Sequence, residues 1–275
     1  MTRARVGKVL FFIFIVFILI WCIFPFAWTF LTSIKPRAEI ISKPLPWIPS
    51  HIEPSYREAF TDVPLLRYIV NSAIVAVTTT VLCLVVGSLT AYALARLRFR
   101  GKTALLMIVL AVCMFPQIAI VGPLTRMFKT LHLLNTYPCL ILPYMTFCLP
   151  LTVWILTTFF QTIPRDLENA ALVDGCTRME SLRKVILPLA APGLVTCAIL
   201  VFIYAWNEFM FAQTFITEQS MYTITKGIAM YGGRYTIPYG EISAAAVAVT
   251  IPLIVLVLIF QRRIVQGLTA GSVKG

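Results

Sequence analysis

Six stretches of the chain stay apolar long enough to cross a bilayer, at roughly 9–34, 68–95, 103–125, 137–161, 191–215 and 241–262. A hydrocarbon core about 30 Å thick needs roughly 20 helical residues, so each stretch predicts a spanning α-helix. Polar and charged positions gather between the runs. The pattern therefore predicts an all-α polytopic membrane protein with six transmembrane helices. The first run follows the basic MTRARVGK. It is longer than the roughly 7–15 apolar residues of a signal peptide, and no small-residue cleavage site follows, so it is expected to remain as a span.

The fifth run carries an acid, Glu208, toward one end. An acid at the centre of a spanning helix costs ~2.5–3.5 kcal/mol, while the ten Leu, Ile, Val and Phe residues of 191–215 return ~3–6 kcal/mol. The run is therefore predicted to span despite its acid.

Charge then sets direction. With six spans both termini share a side, together with 96–102 and 162–190. That side holds 14 of the 23 Lys and Arg but only 4 of the 11 Asp and Glu. Lys and Arg concentrate in cytosolic loops, so both termini are expected in the cytosol, and 35–67, 126–136 and 216–240 outside. The net charge of +12 is read as this bias rather than as a nucleic-acid surface. Seven cysteines form no CxxC pair, and Cys22, Cys83, Cys113, Cys148 and Cys197 lie in apolar runs. They read as small buried thiols, not as a metal or disulfide framework. His51 and His132 lack metal-ligand company and read as surface residues.

The cytosolic insert 162–190 has strong local signals. Asp166 is placed to cap a first helix, with Asn169 three residues on. Gly175 supplies a left-handed stop. Thr177 and Glu180 form a T-x-x-E capping box for a second helix, which Pro188 ends. Leu167, Ala170, Ala171 and Asp174 share one helical face, and Leu182, Val185, Ile186 and Leu189 another. The result is a short capped helix pair outside the membrane. By its residues alone it either enters a partner's cleft or rests on lipid headgroups.

These residues resemble the cytoplasmic loop of permease subunits of binding-protein-dependent ABC importers, with the pattern E-A-A-x3-G-x9-I-x-L-P. Here it reads Asn169-Ala170-Ala171, three residues, Gly175, nine residues, Val185, one residue, Leu187-Pro188, after the lead-in Pro164-x-x-Leu167-Glu168. Asn169 stands where glutamate is usual, with Glu168 adjacent, and Val185 replaces Ile. The resemblance covers nearly the whole chain and is closest to six-span carbohydrate permeases of the maltose and trehalose type. It is supported by NSAIVAVTTT (71–80), TAYALARLRFRGK (90–102), MFPQIAIVGPL (114–124), FIYAWNEFMFA (202–212) and QRRIVQGLTAGSVKG (261–275).

The resemblance implies a type I ABC importer transmembrane fold. Residues 1–67 would form an N-terminal segment, first helix and external strap; 68–262 the core transmembrane domain; and 263–275 a cytosolic tail lying between ATPase subunits. It implies that 165–188 is a coupling helix held by an ATPase, through Leu167, Glu168, Asn169, Ala170, Ala171, Asp174, Gly175, Leu187 and Pro188. Partners would be a second permease, two P-loop ATPases that bind ATP and Mg, a sugar-binding protein outside, and the lipid bilayer of a bacterial or archaeal-type plasma membrane. The chain itself would hold no cofactor and catalyse nothing. Its own GKT at 101–103 is no phosphate loop, because a P-loop needs Gly at position 96, which is Arg96.

Intramembrane polar groups give the remaining candidates. Gln117, Tyr204, Trp206, Asn207 and Glu208 are expected to line a translocation pathway, or Glu208 to make a structural pair with a neighbouring helix. Pro116 permits a kink or unwound turn before Gln117. The external tip Tyr231-Gly232-Gly233-Arg234-Tyr235 is either a solvated turn or, as the resemblance implies, a contact for the binding protein. The expected function is sugar import by alternating access, of a disaccharide or small glycoside. Import of another solute such as glycerol phosphate is the nearest rival. A polytopic enzyme lacks a catalytic cluster, and an ion-coupled transporter lacks repeated intramembrane charges and internal repeats.

Overall fold

A computed structural model describes residues 2–232 and 237–269, with side chains over 7–232 and 237–261. Among these the chain is helical, without strands. Four helices are long and apolar enough to span a membrane alone: α1 (Thr2–Ser33), α4 (Leu65–Arg96), α7 (Pro138–Thr162) and α14 (Tyr239–Thr269). Two short helices, α2 (Arg37–Ile40) and α3 (Tyr56–Thr61), lie between α1 and α4. Two bent pairs bring the number of candidate spans to six.

The third predicted span is one of these bent pairs. α5 (Lys102–Ala111) runs through a 3-10 turn (Val112–Met114) and meets α6 (Gln117–Thr130) at 91°. The cause is Pro116. A proline disfavours helical backbone in the residue before it, and Phe115 is extended at φ −77°, ψ 129°. The fifth predicted span, 191–215, is also not one helix. α11 (Ala191–Asn207) stops before Glu208, and a separate α12 (Met210–Phe215) follows. Seventeen residues reach only about 26 Å, short of the roughly 30 Å of a hydrocarbon core.

The chain divides into two compact units, Met1–Leu66 with Ile228–Ile251 and Arg67–Gly227 with Pro252–Gly275. In the first, Lys35 is fully buried. Its ammonium donates to the Pro46 carbonyl at 2.6 Å and lies 4.3 Å from the Trp28 ring centre. The Arg37 guanidinium pairs with Glu241. The proline-rich strap is thus tied to its own unit by the buried Lys35 and by the exposed Arg37, whose partner Glu241 is buried.

In the second unit α7 is central, with twelve buried residues. Ala91, Tyr92 and Ala95 of α4 pack with Leu156, Phe160, Ile163, Leu182, Ile186, Ala190 and Cys197. Lipid tails are as apolar as these side chains, so association here depends on close packing and polar contacts rather than water exclusion. The small residues let backbones approach. Cys83, Cys148 and Cys197 are buried, whereas Cys22 and Cys113 are exposed on this chain. The apolar runs holding the last two do not bury every thiol within the chain, because a spanning helix also has a lipid-facing side.

Candidate functional site: a capped insert and a broken span

The insert between α7 and α11 is built from α8 (Arg165–Val173), α9 (Arg178–Ser181), a π-turn (Leu182–Ile186) and α10 (Leu187–Leu189). Its first helix begins after Pro164 with no side-chain cap. Asp166, expected as the cap, lies inside the first turn, where its charge opposes the helix's positive end. The stop is as expected. Gly175 has φ +86°, the Cys176 amide donates to the Ala171 carbonyl at 2.9 Å and the Gly175 amide to Leu172 at 3.2 Å. These two bonds are a Schellman motif, which favours glycine at its left-handed residue.

The capping box also forms. The Thr177 amide donates to Glu180 Oε2 at 2.8 Å, and the Glu180 amide donates to Thr177 Oγ1 at 3.3 Å. These bonds, with the Lys184 ammonium at 3.1 Å, hold the Glu180 carboxyl down at about 2. Pro188 was expected to end the second helix, yet the chain stays helical to Leu189. Proline offers no N–H to the carbonyl four residues back and crowds it. A widened turn over Leu182–Ile186, closed by the Leu187 amide on the Leu182 carbonyl, precedes Pro188. The direction changes only at Ala190, by 81° into α11.

α8 has two unlike faces. Asn169, Ala170, Val173 and Asp174 are exposed, Val173 at 86%. Leu167 is also largely exposed, Ala171 is buried, Leu187 packs on the core, and Pro188 is exposed. Glu168 turns inward and is 5% exposed. The Tyr92 hydroxyl donates to its Oε1 at 2.5 Å, and Arg96 Nε lies 3.2 Å from its Oε2. A cleft of about 670 Å³ beside α8 is lined by Arg96, Arg98, Arg165 and Arg178 with Glu168 and Asn169. The acid expected to face an ATPase thus faces its own chain, while the exposed neighbour at that site is the neutral Asn169.

The other constellation lies where α11 breaks. Glu208 is 7% exposed. The Tyr144 hydroxyl donates to its Oε2 at 2.6 Å. The Phe211 amide donates to Oε1 at 2.9 Å and the Ala212 amide to Oε2 at 3.3 Å. Glu208 stands just before the N-cap residue Phe209, and its carboxylate accepts the first-turn amides of α12, where the helix dipole favours its charge. Thr225 adds a bond from its hydroxyl to the Glu208 carbonyl at 2.6 Å. Of the two readings of Glu208, these contacts fit the structural pair.

Gln117 and Tyr204 do come together. Gln117 Nε2 donates to the Tyr204 hydroxyl at 2.7 Å, and the Tyr204 ring meets Tyr144 edge-on at 6.2 Å. Trp206 is not part of this group. It is buried and stacks on Phe202 at 5.5 Å. Asn207 is exposed, its amide donating to the Ile203 carbonyl at 2.8 Å. Tyr144, which joins Glu208 to the Gln117–Tyr204 pair, was missed by sequence reading. Its only signal was a phenol inside a long apolar run, where a hydroxyl needs a partner.

The described residues of 216–240 include helical turns. These are a 3-10 turn (Gln219–Met221) and α13 (Ile224–Ala229). Asn71 accepts from the Tyr137 hydroxyl at 2.9 Å and donates to the carbonyls of Ser220 at 3.0 Å and Tyr222 at 2.9 Å. A Cβ on Gly227 would lie 2.2 Å from the fully buried Tyr68 ring, so this contact requires glycine. Tyr231, expected at an outward tip, is buried with its hydroxyl donating to the Ala59 carbonyl. Gly232 is exposed with φ +122°. Gly233, Arg234 and Tyr235 lie outside the described residues, as does the tail from 270. Among the described residues no group of His, Cys, Asp or Glu is arranged to hold a metal. His51 is exposed beside Glu53 at 3.7 Å.

The sequence of the chain is 43% identical over 270 residues to the sulfoquinovosyl glycerol transport system permease protein of Agrobacterium fabrum, covering 98% of this chain and 95% of that one. It is 45% identical over 258 residues to the trehalose transport system permease protein of Mycobacterium tuberculosis, covering 93% of each. The fold is that of type I ABC transporter transmembrane domains. It superposes on a crystal structure of a bacterial ABC transporter involved in the import of the acidic polysaccharide alginate with a TM-score of 0.81 and 22% identity, covering 94% of this chain and 96% of that one. Residues 83–270, which hold both the capped insert and the broken span, match the model of one family. The chain therefore belongs to the binding-protein-dependent transport system inner membrane components, and is an ABC transporter permease.

Proposed function

We propose that this chain is one of two transmembrane subunits of an importer that carries a disaccharide or small glycoside into the cytosol. The observation that carries the reading is the insert Arg165–Leu189. It is closed by a Schellman motif and a capping box, and it presents Asn169, Ala170, Val173 and Asp174 outward. A rigid projection between two membrane helices can transmit force. P-loop ATPases, which bind ATP and Mg, grip α8, and their closure rocks the helices. The sugar assignment is supported by the relatives named for trehalose and sulfoquinovosyl glycerol. Gln117, Tyr204 and Asn207 are the polar groups assigned to the pathway, with Glu208 and Tyr144 fixing its outer wall. The segment 216–240 faces the sugar-binding protein, and both termini lie in the cytosol of a plasma membrane.

The test is reconstitution with a second permease, the ATPase and the binding protein from neighbouring reading frames. ATP hydrolysis and uptake are measured across labelled disaccharides, including trehalose. Hydrolysis stimulated by one sugar and its accumulation inside vesicles are expected. Stimulation by glycerol phosphate and by no sugar would reject the substrate class.

A further inference from the structure

Three side chains fasten α8 to the rest of its unit, and all are more than nine-tenths buried: Tyr92 at 7%, Arg96 at 7% and Glu168 at 5% exposure. Tyr92 and Arg96 stand four residues apart, on one face at the end of α4. Tyr92 donates to one carboxylate oxygen of Glu168 at 2.5 Å, and Arg96 Nε approaches the other at 3.2 Å. The same guanidinium donates through Nη2 to the Ile163 carbonyl at 2.9 Å, the residue that closes α7. One arginine thereby holds three elements. The Nε contact is an attraction of charges rather than an aligned hydrogen bond. Breaking it by moving α8 alone would separate two desolvated charges, which is strongly unfavourable.

We infer that Glu168, Arg96 and Tyr92 form the joint that makes α8, α4 and α7 move as one body, with Glu168 acting inward and not as the contact to the ATPase. The inference rests on the reading of α8 as the gripped element. It divides the helix into two jobs: the exposed face docks, and the buried face pulls. The three are positioning residues, since none meets substrate.

The test uses the assembled transporter in vesicles, with Val173→Cys as a crosslinking reporter on the exposed face. In the parent complex this cysteine is expected to crosslink to the ATPase. Adding Glu168→Gln should leave crosslinking intact while cutting ATP hydrolysis stimulated by the binding protein about tenfold, the scale of a typical coupling between sites. Glu168→Asp, which keeps the carboxylate and leaves the bond from Arg96 to the Ile163 carbonyl in place, should retain more stimulation than Glu168→Gln. Tyr92→Phe keeps the ring and serves if the charge variants do not assemble. It should lower stimulation by about threefold, less than one typical coupling, with crosslinking intact. Unchanged stimulation in Glu168→Gln or Tyr92→Phe overturns the joint. So does loss of crosslinking in step with activity, which would make Glu168 a docking contact. If the parent Val173→Cys meets no second polypeptide, the gripped-helix reading itself fails, and that outcome is distinct from the others.

Discussion

Glu168 and Glu208 are buried acids at opposite ends of α7, and each accepts a tyrosine hydroxyl, Tyr92 at 2.5 Å and Tyr144 at 2.6 Å. They differ in what offsets the remaining charge. Glu168 takes a guanidinium from α4, 72 positions earlier in the chain (168 against 96). Glu208 takes the amides of Phe211 and Ala212, three and four residues on. Amides at a helix start stay where the backbone puts them, so Glu208 fixes a local break. A side-chain pair joins elements that could otherwise slide. The same residue type is a stop at one end of the bundle and a joint at the other.

The largest expected effect is at the stop. Glu208→Ala strands the buried Tyr144 hydroxyl, at ~1–3 kcal/mol, and takes away the carboxylate that the Phe211 and Ala212 amides bond. The purified transporter should melt several degrees lower and assemble poorly. Glu208→Gln, which keeps an acceptor, should lose less. The comparison breaks if Glu208→Ala melts normally but transports nothing, because Glu208 would then act on the substrate.

Next comes the hinge of the insert. A Cβ at Gly175 would touch nothing within 4 Å, so only its φ of +86° constrains it. A β-branched residue there costs roughly 1–3 kcal/mol of backbone strain. Gly175→Val should insert normally yet abolish ATP hydrolysis stimulated by the binding protein. Gly175→Asn, which tolerates left-handed backbone, should retain part of it. Equal activity in both would mean that the angle between α8 and α9 does not carry force.

Local chemistry made much of this legible in the sequence. The six apolar runs, the stop at Gly175 and the Thr177–Glu180 box follow from neighbours within five residues, and Pro116 marks its own bend. Partners distant in sequence did not show. Nothing in Glu168 says that it turns toward Arg96 rather than outward, because α8 carries polar residues on both faces. The break at Glu208 was hidden for a related reason. Its apolar surroundings predicted one helix, whereas a buried acid close to the amides of Phe211 and Ala212 is better satisfied by starting a new one. Tyr231 misled because turn-like neighbours point to an exposed tip, while its hydroxyl is held by Ala59 across 172 positions.

The smallest effect sharpens the contrast by supplying an acid that is neither joint nor stop. Glu180 is half-buried, and its carboxyl is held down from 4.5 to about 2, first by the Thr177 amide and then by Lys184. A lowered folded value means that the carboxylate stabilises the box at every pH above 4.5. That contribution fades as protons are taken up toward pH 2. Hydrogen exchange over 177–184, corrected for its intrinsic pH dependence, should therefore stay flat from pH 7 to pH 5 and rise below about 4.5. Glu180→Gln should show slightly faster exchange at neutral pH and no acid transition. An onset already near pH 6 would mean that the box is held by something other than this carboxylate. The insert's second helix would then depend on the packing of its Leu182 and Ile186 against Tyr92, Leu156 and Phe160 and not on its own start.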